Sequence, residues 1–196
     1  MKNVMKFGLA LAMIFSVAVV RANEGFSVTS KEGMGKVISF TINETNSVHV
    51  SIYNADGSVI FDETTKGKDG KISRTYDLNA FPDGTYFLET ETGAKVARRT
   101  ITLTGKSAKV DETAVAEIVK PVVTNKNGLV SVNIANTNNA PVQIKMYDEA
   151  NNELYSETLK GANVAKKFNI NRAGAKNFTL VMTYNNKTFV ETIAAR

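Results

Sequence analysis

The chain repeats itself, and this constrains its fold more than any other feature. Val37-Ile38-Ser39-Phe40-Thr41-Ile42 aligns with Leu129-Val130-Ser131-Val132-Asn133-Ile134 at an offset of 92 residues. Val50-Ser51-Ile52-Tyr53-Asn54 then aligns with Ile144-Lys145-Met146-Tyr147-Asp148 at an offset of 94, as does Glu63-Thr64-Thr65-Lys66-Gly67 with Glu157-Thr158-Leu159-Lys160-Gly161. After a compensating deletion the offset returns to 92: Tyr76-Asp77-Leu78 meets Phe168-Asn169-Ile170, Tyr86 meets Phe178, and Thr100-Ile101 meets Thr192-Ile193. Both length changes fall between apolar segments, where turns are expected and insertions are tolerated. Self-similarity at a fixed period marks a duplicated structural unit.

The periodicity inside each copy says what that unit is. Lys36–Ile42, Val48–Ile52, Thr85–Glu89 and Asn177–Tyr184 alternate apolar and polar residues and favour β-branched and aromatic types. That is the pattern of strands with one buried face. Asp56-Gly57, Asp69-Gly70, Pro82-Asp83-Gly84 and Asn127-Gly128 punctuate them; Asn or Asp before Gly tolerates the positive φ of tight hairpin turns. Strands recur every ~8–12 residues, the rhythm of a sandwich. No window shows a convincing amphipathic helix; Asp111–Lys120 could hold one helical turn, but Val115, Ile118 and Val119 extend as easily.

The expectation is an all-β protein: two tandem immunoglobulin-like antiparallel β-sandwich domains after a signal peptide. Repeat 1 covers residues 23–104, the polar stretch 105–110 (GKSAKV) reads as a linker, and repeat 2 covers 111–196. Each unit should hold about seven strands. Cysteine and tryptophan are both absent. Disulfide staples, thiol nucleophiles, cysteine zinc sites and a Trp-centred core are therefore excluded, and Tyr, Phe, Ile and Val must fill the interior. Units of this size lie near the lower limit for an unstapled core, so the two are expected to share an interface.

The amino terminus carries Lys2 and Lys6 before an uncharged run from Phe7 to Val20. The run is shorter than the ~20 residues a helix needs to cross a bilayer, but suits a signal peptide. Val20 and Ala22 place cleavage after Ala22, so residues 1–22 are read as a signal peptide. No second long apolar segment follows, so no membrane span is expected after cleavage, and the protein should be exported to the periplasm or the cell surface. Loss of Lys2, Lys6 and Arg21 leaves 21 basic against 19 acidic residues, a net charge of +2 rather than +5. The basic residues are scattered, and Asp69 interrupts the densest run, Lys66–Lys71. Nucleic acid is not an expected partner.

One stretch resembles a known family. Ile52-Tyr53-Asn54-Ala55-Asp56-Gly57, then Tyr76-Asp77-Leu78, then Phe81-Pro82-Asp83-Gly84-Thr85-Tyr86-Phe87-Leu88 resembles the small β-sandwich at the C-termini of proteins exported by the type IX (Por) secretion system of Bacteroidetes. Gly57, Asp77, Leu78, Gly84 and Tyr86 fall on the family's pattern over about Val48–Leu103. The match is internal, whereas the family's domain ends its proteins. The second copy has Lys176-Asn177-Phe178 in place of Gly-x-Tyr. The resemblance implies a bacterial exported sandwich.

The search for chemistry finds no constellation, so no catalytic, cofactor-binding or metal-binding residue is assigned. His49 is the only histidine; between Val48 and Val50 it should point to solvent, without the Gly-x-Ser-x-Gly elbow of a hydrolase or a second imidazole for a metal. Asp56, Asp69 and Asp83 could supply oxygens to calcium, but each precedes Gly, or Gly-Lys, in a turn, where backbone geometry alone selects it. Tyr86 and Phe178 are read as core, as are Tyr53 and Tyr147, which could instead form an exposed recognition surface. Asn43, Asn177 and Asn186 begin Asn-x-Thr sequons. Three functions follow in order: a non-catalytic structural or adhesive module that meets another protein or a cell-surface polymer through strand edges or loops; a type IX cargo or accessory protein whose terminal sandwich is read by the export machinery; and, remotely, a carbohydrate-active enzyme.

Overall fold

The computed structural model describes residues 25–29, 35–44, 46–171 and 173–195. The apolar run 7–20 and the cleavage point after Ala22 lie outside the described residues. Every regular element described is a strand, and every strand pairing is antiparallel. The alternation read from the sequence therefore prevails throughout, including at Asp111–Lys120, where the chain is extended.

In the first copy β1 (Phe26–Thr29), β2 (Val37–Ile42) and β5 (Ile72–Asp77) form a sheet in the order β1-β2-β5. Facing it are β3 (Ser47–Tyr53), β4 (Val59–Lys66), β6 (Gly84–Glu91) and β7 (Lys95–Thr104), in the order β4-β3-β6-β7. The second copy repeats this with β10 (Val122–Lys126), β11 (Leu129–Ala135) and β14 (Asn163–Asn169) over β12 (Val142–Asp148), β13 (Glu153–Leu159), β15 (Asn177–Tyr184) and β16 (Lys187–Ala194). Their orders, β10-β11-β14 and β13-β12-β15-β16, match strand for strand. Two tandem immunoglobulin-like sandwiches fit this topology. A register irregularity recurs too, between Ile52 and Tyr53 in one copy and Met146 and Tyr147 in the other.

Each copy closes its own core. Ile38, Phe40 and Ile42 from one sheet meet Val48, Val50, Ile52, Leu88 and Ile101 from the other. Their counterparts Val130, Val132 and Ile134 meet Val142, Ile144, Met146, Leu180 and Ile193. Alternate residues of every inner strand supply these side chains because successive Cβ atoms point to opposite faces. Burial of each large side chain contributes roughly 1.5–3 kcal/mol. The turns that set register are those the sequence indicates: Asp69-Gly70 (φ 54° and 77°) and Asn127-Gly128 (φ 51° and 75°), joined by Asn185-Asn186 (φ 51° and 59°) between β15 and β16.

Between the copies the structure differs from the sequence reading. Residues 105–110 form a two-residue turn, Gly105-Lys106, followed by strand β8 (Ser107–Val110), which pairs with the C-terminal half of β7. The chain then returns as β9 (Ala116–Val119) along the N-terminal half of the same strand. The polarity of GKSAKV is that of an edge strand, with Val110 entering the first core, half-buried Ala108 packed against it and the remaining side chains exposed. β9 also reaches the second copy, since Ile118 packs against its core and the Val119 carbonyl accepts the Tyr184 hydroxyl at 2.5 Å.

Candidate functional site

The two copies differ most where the large sheet ends. In the first copy β7 presents Ala97, Arg99, Ile101 and Leu103 inward, opposite Thr90, Leu88, Tyr86 and Gly84 of β6. Arg99 is an inward-pointing charge, only 4% exposed. Its guanidinium lies 3.6 Å from the centroid of Phe26, its Nε donates to the Glu112 carbonyl at 3.2 Å, and Nη1 donates to Thr90 Oγ1 at 3.3 Å. A buried charge needs such hydrogen bonds to offset its lost hydration. The segment joining β8 to β9 supplies one of them while covering the strand edge. The Asp111 and Val115 amides donate to the Thr100 and Arg98 carbonyls at 3.0 and 2.8 Å, and Lys95 pairs with Glu117 at 2.9 Å. An acidic strap thus lies along a basic edge, Lys95-Val96-Ala97-Arg98-Arg99.

The repeat alignment puts β16 in the place of β7, with Lys187-Thr188-Phe189-Val190-Glu191 over those five residues. Arg98 becomes Val190, which is 58% exposed, and Arg99 becomes Glu191, also exposed. Among the described residues no strand pairs with the outer edge of β16. The Asn185-Asn186 turn makes Tyr184 and Lys187 a hydrogen-bonded pair, so in the alternation of the ladder Thr188, Val190 and Thr192 turn their backbone N–H and C=O groups outward. Ala194 turns outward too, and its carbonyl accepts Asn125 Nδ2 at 3.1 Å. Beside this edge a cleft of 300 Å³ opens between the two sheets, lined by Val123, Asn125, Glu191, Thr192, Ile193 and Ala194.

The outer face of the first large sheet carries the densest charge pairing. Glu89 is 6% exposed, 3.1 Å from Arg98 and 2.6 Å from Lys187 of the second copy. Arg98 in turn stacks over Tyr53 at 4.9 Å and Phe87 at 5.5 Å. Glu91 pairs with Lys120 at 2.6 Å. These residues sit on neighbouring strands at alternate positions, which is why one face gathers them.

The residues singled out from sequence are scattered over this frame. His49 points outward from β3 as expected, with Nε2 2.6 Å from Asp62 and Nδ1 3.0 Å from Thr64 Oγ1. Asp62 also accepts the Ser51 hydroxyl at 2.6 Å, and that bond, more than the imidazole, holds its carboxyl below the usual range. The carboxylate stands between serine and histidine, so the imidazole does not reach the Ser51 hydroxyl as a general base must. Asp56 accepts the Ser58 amide and hydroxyl, Asp69 takes the positive-φ position of its turn, and Asp83 accepts the Gly105 amide at 2.7 Å and pairs with Lys36 at 2.8 Å. The structure does not bring the three together, and among the described residues no group of three or more potential metal ligands gathers.

Tyr86 and Phe178 lie in the two cores as read. Tyr53 and Tyr147 do not. Both continue the alternation of their strands, outward after the inward Val48, Val50 and Ile52 or Val142, Ile144 and Met146, and sit on the outer face, where Tyr53 meets Arg98 and Tyr147 lies 3.5 Å from Glu153. The recurrence of an aromatic at equivalent positions pointed to the core, but the alternation itself sets both outside, and the extra residue of the irregularity lies in the neighbouring strand, at Ile60 and Leu154. Glu89, Arg99 and Glu191 were also missed, though the offset of 92 already sets an arginine against a glutamate at an inward position of equivalent strands.

The Gly-x-Tyr signature now has a structural role. The Tyr86 hydroxyl donates to the Pro82 carbonyl at 3.0 Å, and Lys36 Nζ donates to the Phe81 carbonyl at 2.7 Å. Together with the Asp83 contacts these bonds fix the loop entering β6. Phe178 lacks the hydroxyl, and the repeat alignment sets Gly128 against Lys36 and Ala175 against Asp83.

Residues 36–104 match the family model described as a secretion system C-terminal sorting domain. The match runs from the residue before β2 to the end of β7, six of the seven strands of the first copy. A comparison with curated proteins finds no match. Among solved structures the chain is similar to Salmonella α2-macroglobulin reacted with methylamine, at 12% identity and a TM-score of 0.33, covering 83% of this chain and 14% of that one. It is also similar to a tetra-tandem repeat from the extending region of a large adhesion protein, at 14% identity and a TM-score of 0.27, covering 87% and 49%. Dimeric latent PorU from Porphyromonas gingivalis matches at 10% identity and a TM-score of 0.28, covering 87% and 20%. The chain thus spans less than half the length of each of these proteins. No helix among the described residues is long and apolar enough to cross a membrane.

Proposed function

We propose that this is an exported, non-catalytic β-sandwich protein that acts by binding, through strand edges and loops, as a structural or adhesive module. The observation that carries the reading is the sorting-domain match over residues 36–104. It falls on six of the seven strands of the first sandwich and on every buried residue of its core but Val110. Its motif residues Gly84 and Tyr86 shape a loop, and Asp77 and Leu78 serve the same end. The Asp77 carboxylate accepts the Asn79 amide at 2.9 Å, and the Leu78 amide donates to the Lys36 carbonyl at 2.8 Å. These are roles in architecture, and the titratable groups of the outer face are engaged with one another across strands. Strand edges offer backbone groups that recognise an extended segment.

A second reading is favoured by the same match: the protein is type IX cargo or an accessory, and a sandwich is what the export machinery reads. Cell fractionation with mass-spectrometric identification of both mature termini tests both. Export with an amino terminus at Asn23 is expected. Deletion of residues 121–196, which spares β8 and β9, should leave surface delivery intact if the first copy is read, and trap the protein in the periplasm if the second is. Retention of the full chain in the cytoplasm would overturn both readings.

A further inference from the structure

We infer that the outer edge of β16 is an acceptor for an extended segment of a partner protein, and that this segment carries a lysine or arginine facing Glu191. The inference rests on the binding role proposed above and names the edge and the chemistry of the occupant. The first copy shows what such an edge takes. There β7 is covered antiparallel by β8 and β9, and the covering segment Asp111-Glu112-Thr113-Ala114-Val115-Ala116-Glu117 is acidic against Lys95, Arg98 and Arg99. Charge complementarity extends to a direct ion pair, Lys95 with Glu117 at 2.9 Å.

β16 is the same strand in the same sheet position, with its complement inverted. Val190 and Glu191 replace the two arginines, and among the described residues Glu191 has no ion-pair partner. Thr188, Val190 and Thr192 direct their backbone groups outward. Glu191 points from the inner face into the 300 Å³ cleft beside Val123 and Ile193. An inward-pointing charge on an edge strand opposes indiscriminate strand addition, and so selects for a segment that brings the opposite charge. The other large-sheet edges have their inward carboxylates already engaged: Glu63 of β4 is bound by Arg74 and the Tyr76 hydroxyl, and Glu157 of β13 by Lys166.

The test uses the mature chain and two synthetic nine-residue strands of alternating Thr and Val, N-methylated at alternate positions so that they cannot pair with one another. One has Lys at its centre and the other Glu. Amide chemical shifts should move at Thr188, Val190 and Thr192, and the Lys strand should bind about two- to five-fold more tightly, the range of an exposed ion pair. Glu191→Lys should reverse the preference. Val190→Pro removes an outward N–H without touching the β15 ladder, and should abolish binding while leaving the fold unchanged by circular dichroism. Equal affinity for the two strands, or binding that survives Val190→Pro, overturns the inference. Shifts at β4 or β13 instead would overturn the choice of β16 and keep the edge-binding function, whereas no shift at any edge would overturn both. A dimer in sedimentation that Val190→Pro dissolves would make the occupant a second copy and overturn the partner proposed.

Discussion

The two copies share seven strands in the same order, the same irregularity after the third, and cores filled from equivalent positions, yet one has a covered edge and the other an open one. The first copy adds β8 and β9 to β7, buries Arg99 beneath their connection, and ties the loop before β6 with Tyr86, Lys36 and Asp83. The second has an exposed Glu191 and a phenylalanine in place of that tyrosine. Duplication conserves what the core demands and leaves edges and loops to diverge, because a sandwich core tolerates little change in volume, whereas edges are constrained mainly by what must be kept off or let on.

The largest effect expected tests whether the copies are one cooperative unit. Leu88 and Leu180 are equivalent and fully buried in their separate cores. Truncation of either to alanine should cost about 2–5 kcal/mol, read by urea unfolding followed by far-ultraviolet circular dichroism. The copies meet through Ile118, the Tyr184–Val119 bond and the Lys187–Glu89 pair. If these couple them, both substitutions shift a single transition; two transitions, each moved by only one substitution, would make the copies independent.

Next comes the strap. Arg99→Met keeps the apolar stem over Phe26 but removes both donors, and hydrogen bonds to charged groups are worth about 1.5–3 kcal/mol each way they are broken. A loss on the order of 2 kcal/mol is expected, with faster amide exchange at Asp111 and Val115, whose bonds to Thr100 and Arg98 hold the strap. The corresponding change in the second copy, Glu191→Met, should leave stability within about 0.5 kcal/mol, as surface substitutions do. Equal effects at the two positions would break the contrast between covered and open edge.

How much of this was legible beforehand depends on what each feature needs. The fold class, the duplication and the assignment of Tyr86 and Phe178 to cores were readable, since strand alternation and repeat offset are local patterns that core packing enforces. Tyr53 and Tyr147 were misread because recurrence in both copies was weighed above alternation, which from Ile52 and Met146 already turns the next residue outward. The strand at Ser107–Val110 looked like a linker because edge strands are polar by the same logic that makes loops polar. Glu89 lies 9 residues from Arg98, across the β6–β7 hairpin, and 98 residues from Lys187, which stands in the other copy's sheet, so only the contact between the copies brings that pair together.

Smaller still is the loop clamp. Tyr86→Phe copies the second repeat and removes one hydrogen bond to the Pro82 carbonyl, a cost of about 1 kcal/mol. A thermal melt should show it as a fall of a few degrees, with faster exchange at the Gly84 amide. An unchanged melting temperature would mean that the hydroxyl bond is not what distinguishes the loops.

The smallest effect is a pH dependence of the loop entering β6. The Gly105 amide, and then Lys36, hold the Asp83 carboxyl below the usual carboxylate range. A carboxylate depressed in the folded state favours folding above its ordinary value, and this contribution is lost as pH falls through the folded value. The group is exposed, so the effect on global stability is small, and the informative measurement is local. As the solution is acidified below about pH 4, the region where unperturbed carboxylates protonate, the Gly105 amide should lose its bond to Asp83 before any strand of the sandwich opens. Its proton resonance should then follow the Asp83 titration. Asp83→Asn should abolish that dependence. The second copy has Ala175 at this place, and the carboxylate on its β6-equivalent loop is Glu149, held low by its own amide and by that of Lys176, which it accepts at 3.1 Å. A step there should be reported by the Lys176 amide and survive Asp83→Asn; a Gly105 resonance that is flat with pH, or one that moves equally in Asp83→Asn, would assign the acid sensitivity at Gly105 to some other carboxylate.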